Sequence, residues 1–318
     1  MNCAQWEQHL EAYLAVQRAV GKSMVAEEKL LLDFLDHCSR SGASSSGEAA
    51  MDWARRSTSR FGSSGEARRL TVVRNFLNFL RPFCSEPLLL PISPRQGPRR
   101  KPPYVFSGDE MAALQDRAGR LWPRGSLRPL TFQTILGLLA CTGLRVGEVM
   151  RLEVADLLLD AVPAHLIVRE TKFRKSRIVP LHRTAVAPLK NYMTERNRRS
   201  YSGLSDRVFL CHRGGPLKHW LLHDTFQTLL RQAGIRSSGG QRQPTLTSFR
   251  HSFAVNRLVA WYQEGRNVDE LLPHLSVYLG HVRPQCTYWY LSASPELLRA
   301  AASRFTFPVE HIRDGGVQ

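Results

Sequence analysis

The stretch LTFQTILGLLACTGLRVGEVMRL, residues 130–152, decides how the chain is read. Its first half is apolar almost without a break, yet it is too short to span a bilayer and carries Gln133 and several threonines, so it predicts a buried helix. Gly143 is where that helix ends, because glycine takes the left-handed cap without steric cost. Arg145 comes straight after the turn, and Glu148, three residues on, can face it across one helical turn. A lone Gly-x-Arg is an ordinary surface feature. The whole phrase asks for more.

Three further stretches each hold a basic group where an anion site would want one. HLIVRETKFRKSRIVPL (165–181) reads as two β-runs around a basic tip, a hairpin whose Lys172, Arg174 and Lys175 need solvent or phosphate. LTSFRHSFAVNRLVAW (246–261) makes an apolar helix face from Phe249, Phe253, Val255 and Leu258, leaving Arg250 and His251 near the helix start. YLGHVRPQCTYWYLS (278–292) places His281 after Gly280 and Tyr290 nine residues later. A tyrosine pair beside a tryptophan is more often core than chemistry, but in a helix Tyr288 and Tyr290 lie about 200° apart and cannot both face one group.

Composition narrows the partner. In 318 residues, 44 Lys+Arg oppose 27 Asp+Glu, a formal charge of +17 with a pI near 10.3, which implies a polyanion and nucleic acid first. Residues 1–90 carry 11 basic and 10 acidic groups; 91–103 carry four basic and no acidic ones; 104–318 carry 29 against 17. The electrostatic demand therefore falls on the middle and the C-terminal part. Arginine outnumbers lysine 37 to 7, which suits bidentate phosphate contacts but would also follow from a GC-rich genome. Six scattered cysteines form no C-x-x-C pair, so neither a disulfide framework nor a zinc site is expected. MNCAQWEQHLEAY lacks the basic and apolar regions of a signal peptide. The expectation is an intracellular protein with no membrane segment and no metal.

Along the chain, residues 1 to about 85 read as helices, with three- and four-residue apolar spacing in WEQHLEAYLAVQRAV, MVAEEKLLLDFLDHC and EARRLTVVRNFLNFLRPF, and SRSGASSSGE as a loop. PLLLPISPRQGPRRKPP (87–103) is too proline-rich for a helix and reads as a basic linker, with Arg99, Arg100 and Lys101 as candidate DNA contacts. Three parts follow: 1–86 helical, 87–103 linker, 104–318 a second domain. The second opens with a capping box, Ser107 with Glu110. Beyond the hairpin, helices are predicted near 183–198, 218–233, 247–263, 268–279 and 294–305, with a short strand at RVFLC (207–211). The class is mainly α with a small β-hairpin or sheet (α+β). In SPELLRAAASRF (294–305), Leu297, Leu298, Ala301 and Phe305 form an apolar stripe, to pack on its own domain or on a neighbouring protomer.

The four stretches, in this order, resemble the motifs of the tyrosine recombinase (phage integrase) family: TGLRVGE its first arginine box, TKFRKSRIVPL its lysine hairpin, LTSFRHSFA its second arginine box, YLGHVRPQCTYWY its histidine-to-tyrosine segment. The resemblance covers about 104–305, and more weakly the N-terminal helices, which look like the family's core-binding domain. It implies a site-specific recombinase of mobile elements that cuts and rejoins DNA through a 3′-phosphotyrosyl intermediate. Arg145 and Arg250 would grip the scissile phosphate, Lys172 would protonate the departing 5′ oxygen, His281 would donate to the phosphate or assist proton transfer, and Tyr290 would attack. Glu148 would support them. The resemblance further implies no cofactor, double-stranded recombination sites bound by two protomers each, a homotetramer in the synapse, accessory DNA-bending or partner recombinase proteins, and a bacterial cytoplasmic, nucleoid-associated location.

One position departs from the family. Its usual histidine three residues before the second arginine is here Thr247, whose hydroxyl can hydrogen-bond a phosphate but is a poor acid or base. His251 matches a different histidine of the motif and is not read as its replacement. A type IB topoisomerase-like or hairpin-resolving enzyme would share the same five residues, and Thr247 leaves room for a regulator whose centre has decayed. The charge distribution makes a first prediction: affinity for DNA falls steeply as salt rises, with log K linear in log salt. Titrations between low and physiological salt that give a nearly flat line would remove the electrostatic argument.

Overall fold

The computed structural model describes residues 3–41, 46–56, 62–84, 102–169, 176–199, 205–237, 242–281, 285–291 and 297. The chain divides into two compact units, Met1–Arg100 and Lys101–Gln318. The first is four helices: α1 (Cys3–Ala19), α2 (Val25–Ser41), α3 (Ser46–Arg56) and α4 (Gly62–Leu80). Trp6, Leu10, Tyr13 and Leu14 on α1, and Leu31, Phe34, Leu35 and Cys38 on α2, recur at the spacing of one helix face and are buried. Sequence reading did not single out α3, which begins inside the stretch read as a Ser/Gly loop. Its inner face is marked by Trp53, packed edge-on to Phe34 at 5.4 Å with its indole N–H donating to Asp33, and by partly buried Met51. Tertiary packing holds what propensity alone does not announce.

The second unit is built around α6 (Arg128–Thr142), with α5 (Gly108–Gly119) against it. The Ser107–Glu110 capping box opens α5, each residue's side chain accepting from the other's backbone N–H. Helix α6 is buried nearly all round, and its threonines satisfy their hydroxyls internally, Thr131, Thr134 and Thr142 donating to carbonyls four residues back. Next come α7 (Val146–Arg151), then strands β1 (Leu157–Leu158), β2 (His165–Val168) and β3 (Arg177–Pro180), in the antiparallel order β1-β2-β3. The register pairs Leu166 with Val179 and Val168 with Arg177. This is the predicted hairpin plus one short strand. The remaining helices are α8 (Arg183–Asn197), α9 (His219–Gln232), α10 (Leu246–Gln263), α11 (Val268–Leu279) and α12 (Gln285–Leu291).

Two expectations need adjusting. RVFLC forms no strand, only isolated bridges, Glu153 with Arg207 and Leu210 with Pro216. Pro216 has no N–H with which to extend a ladder. The helix expected over 294–305 lies outside the described residues except for Leu297, which is buried with Leu258, Leu272 and Leu279 of its own unit. The linker 87–103 also lies outside them but for its last two residues, and so do Lys172, Arg174 and Lys175.

Gly143 caps α6 with φ of 61°, and a Cβ there would come within 2.6 Å of the Phe253 ring and 3.1 Å of Leu279. Gly234 also has positive φ, 67°, but a Cβ would meet nothing within 4 Å. Gly234→Ala should therefore lose only the left-handed penalty, roughly 1–2 kcal/mol. Gly143→Ala should lose clearly more, because Phe253 and Leu279 must also move. Equal melting-temperature losses in the two variants would show that α6 does not depend on this close approach.

Candidate active site

The loop after α6 turns at Gly143 and delivers Arg145 to the N-terminus of α7. There the Arg145 backbone N–H donates to Glu148 Oε2 at 2.9 Å, and its guanidinium donates to Glu148 Oε1 at 2.8 Å. Glu148 is buried, its side chain only 2% exposed. Arg177 reaches the same carboxylate from β3, donating to Oε1 at 3.1 Å and Oε2 at 2.8 Å. Burial pushes the Glu148 carboxyl up, but the hydrogen bonds from Arg177 and the Arg145 backbone, with the charges behind them, hold it down at about 2. This carboxylate is an anion at any ordinary pH.

Arg250 enters from the first turns of α10 and is 5% exposed. Its guanidinium donates to Gly143 O at 2.9 Å and Leu279 O at 2.6 Å, while Arg145 donates to Gly280 O at 2.8 Å. These acceptors lie at the C-terminal ends of α6 and α11, where carbonyls lack helical partners and the backbone dipoles favour cations. Burial, and next the charge of Arg145, lower the Arg250 pKa to about 10. Tyr290 and Glu148 act on it in the opposite sense, so all four groups share one electrostatic field.

Helix α12 supplies the phenol. Tyr290 is 2% exposed and Thr287, on the same face, fully buried. The Tyr290 hydroxyl lies 3.1 Å from His251 Nδ1. His281 stacks on the Tyr290 ring at 6.2 Å between centroids, and its Nδ1 is hydrogen-bonded to the Thr287 hydroxyl at 2.6 Å. Burial, then Arg250, Arg145 and Arg177, drop the His281 pKa to about 4, so the imidazole is neutral near pH 7. Tyr288 is 48% exposed: it is not the core residue that the aromatic run suggested, because the helix that turns Tyr290 inward turns Tyr288 out.

Five of the residues singled out from sequence thus converge: Arg145, Glu148, Arg250, His281 and Tyr290. Thr247 is exposed on the first turn of α10. The arrangement is a buried phenol beside two imidazoles, with three guanidiniums, of which Arg145 and Arg177 are held by one carboxylate and Arg250 by backbone carbonyls. Among the described residues no group of three or more His, Cys, Asp or Glu is placed to hold a metal ion. Such a site suits transfer of a phosphoryl group to tyrosine, where positive charge must meet phosphate oxygens next to a nucleophile.

The model of the phage integrase family matches residues 107–296. The chain belongs to that family. Over 309 residues it is 36% identical to y4rB of Sinorhizobium fredii (strain NBRC 101917 / NGR234), which carries the name integrase/recombinase, covering 94% of this chain and 96% of that one. Tyrosine recombinase XerD of Listeria innocua is 31% identical over 219 residues, 66% of this chain and 68% of that one. Among solved structures, XerH recombinase in a post-cleavage complex with a palindromic difH substrate matches with a TM-score of 0.65 at 16% identity, over 95% of this chain and 84% of that one. The Tn1549 transposon integrase bound to transposon right-end DNA matches at 0.67 and 15%, over 96% and 99%. These two likenesses concern the fold. With the sequence relatives, they identify the chain as a tyrosine-type site-specific DNA recombinase.

Sequence reading missed two residues of the recombinase's site. Arg177 was passed over as part of the basic hairpin, although the alternation in Arg-Ile-Val-Pro puts it on the same face as buried Val179, an inward charge that needs a partner. His251 was set aside because it matches a different histidine of the motif; only the tertiary fold brings α12 across it.

Stability should carry the mark of both shifted groups. An imidazole held near 4 against an ordinary value of about 6.5 leaves the unfolded chain binding more protons between those values, so stability falls as pH drops through that window. Glu148 is depressed from about 4.5 to about 2, so its contribution is complete above 4.5 and lost on acidification towards 2. In denaturant titrations across pH, His281→Asn should flatten the upper window and leave the lower one. An unchanged upper slope would place the cause elsewhere.

Proposed function

We propose that the recombinase breaks one DNA strand by attack of the Tyr290 hydroxyl on phosphorus, forming a 3′-phosphotyrosyl bond and releasing a 5′ hydroxyl, and that a 5′ hydroxyl of the partner duplex reverses the step. The observation that carries this is the buried phenol oxygen set against His251 and stacked by His281 within the field of Arg250. Each guanidinium has five N–H donors, and the bonds to Glu148 and the carbonyls described above use only two of each. The others are free to meet non-bridging phosphate oxygens and the charge that grows on them in the five-coordinate transition state. A neutral His281 whose Nδ1 accepts from Thr287 carries its proton on Nε2, a donor for the same phosphate. Lys172 of the hairpin tip gives the proton to the leaving oxygen. Because the phosphotyrosyl bond conserves the energy of the phosphodiester, rejoining requires no nucleotide cofactor.

The helical 1–86 and catalytic 104–318 segments, with the basic linker 87–103 between them, would bind the duplex, Arg99, Arg100, Lys101, Arg174 and Lys175 meeting phosphates. Two protomers per site and four in the synapse follow by analogy with lambda integrase, solved as a dimer on a core site and a tetramer on a Holliday junction. A mobile element is the natural context, as for the Tn1549 integrase. Relatives named as recombinases favour strand exchange over the relaxation of supercoils.

Nicked substrates that trap the covalent product test the assignment. Tyr290→Phe should bind its site but form no adduct, whereas Tyr288→Phe should form it normally. Arg145→Ala and Arg250→Ala should each slow cleavage by on the order of 10²–10³-fold. A sulfur leaving group, which needs little protonation, should rescue Lys172→Ala. An adduct in Tyr290→Phe mapped to Tyr288 would overturn the nucleophile, and rescue confined to Lys175→Ala would move the acid along the tip.

A further inference from the structure

We propose that His251 is the general base that takes the proton of Tyr290, filling from one helical turn away the role left open at Thr247. The inference rests on Tyr290 being the nucleophile. Residues 247 and 251 are four apart on α10, so their side chains leave the same face of the helix, one above the other. Thr247 is exposed and has no group that can accept a proton near neutral pH. His251 is partly buried and sits with Nδ1 3.1 Å from the Tyr290 oxygen, inside the range for direct proton transfer.

The neighbouring packing fixes the imidazole in that pose. Trp289 meets the His251 ring edge-on, with centroids 5.7 Å apart and planes at 68°. The same turn of α12 thus holds the base on one side and presents the nucleophile on the other. Arg250, the residue before it, points instead to the ends of α6 and α11, as consecutive residues of a helix must diverge by about 100°. His281 is the competing imidazole. Its Nδ1 is already engaged by Thr287, and it faces the phenol ring by stacking rather than the phenol oxygen by hydrogen bonding. Held near 4, it is also a weak base for a proton at neutral pH.

In the step, the Tyr290 O–H proton moves to His251 Nδ1 as the phenol oxygen bonds to phosphorus. The bond from phosphorus to the 5′ oxygen breaks, and that oxygen takes its proton from Lys172. On rejoining, the attacking 5′ hydroxyl gives its proton back to the Lys172 amine as its oxygen bonds to phosphorus, and His251 returns its own to the departing phenol. Nδ1 must be unprotonated beforehand, so the neutral imidazole carries its hydrogen on Nε2. The titratable groups that face it are Tyr290 from α12 and His281 from the turn after α11.

Single-turnover cleavage of a nicked substrate from pH 5 to 9 decides it, using full-length wild type, His251→Asn, His251→Ala and Tyr290→Phe. Asparagine can hold its amide near the place of Nδ1 and keep a hydrogen bond to the phenol, but it cannot take the proton. With site-specific DNA binding retained, His251→Asn is expected to cleave about 10²–10⁴-fold more slowly. The limb of the rate profile that reports an imidazole is expected to vanish with it. If His251→Asn keeps the wild-type rate and limb while His251→Ala is impaired, the histidine only positions the tyrosine and the base assignment is wrong. Wild-type cleavage by both variants overturns it outright. An adduct in Tyr290→Phe would instead sink the nucleophile reading beneath it, so the two failures are told apart.

Discussion

The Glu148 carboxylate is the interaction on which the site depends. Arg145, Arg177 and Arg250 bring three guanidiniums into one partly buried volume, and like charges there repel with little water to screen them. A single buried carboxylate accepts from two of them and from the Arg145 backbone, fixing both forks in orientation as it lowers their mutual repulsion. With His281 neutral, three guanidiniums against one carboxylate leave a surplus of two positive charges. That surplus adds to burial, the larger cause, in lowering the pKa values of Arg250 and His281. It is also what a phosphodiester, and more so its five-coordinate transition state, would neutralise.

Helix ends supply the second layer of order. Gly143 and Gly280 both take left-handed caps, with φ of 61° and 67°, and present their carbonyls to Arg250 and Arg145. A side chain at Gly280 would press on Arg177, as one at Gly143 would press on Phe253. Each cap thus performs two tasks: it stops the helix, and it lets the backbone come close enough for its carbonyl oxygen to hold a guanidinium. Removing either glycine would disturb the arginine geometry through the backbone, with no change in any charged residue.

What could be read in the sequence follows from how local each signal is. The long helices are spelled out by three- and four-residue spacing, and α6 by its unbroken apolar run bounded by Gly143. Glu148 was visible because its arginine partner lies three residues away. The inward turn of Tyr290 and outward turn of Tyr288 follow from helical geometry alone, although the role of Tyr288 does not. Contacts between distant segments were not legible. Arg177 meets a carboxylate 29 residues earlier, and His251 meets a phenol 39 residues later. Helix α3, with one tryptophan and three alanines facing the core, has too little apolar area to stand out from its Ser/Gly surroundings. RVFLC has the composition of a strand but no partner beyond single bridges.

Helix α12 is held by what it packs against, α10 and α11, through Tyr290, Trp289 and their neighbours. The groups that act on the phenol, His251 on α10 and His281 at the end of α11, sit on those same two helices. A shift of α12 would break the tyrosine's hydrogen bond to His251 and the bond between His281 and Thr287 together. The phenol, the His251 imidazole and the His281–Thr287 pair are thereby coupled through one element.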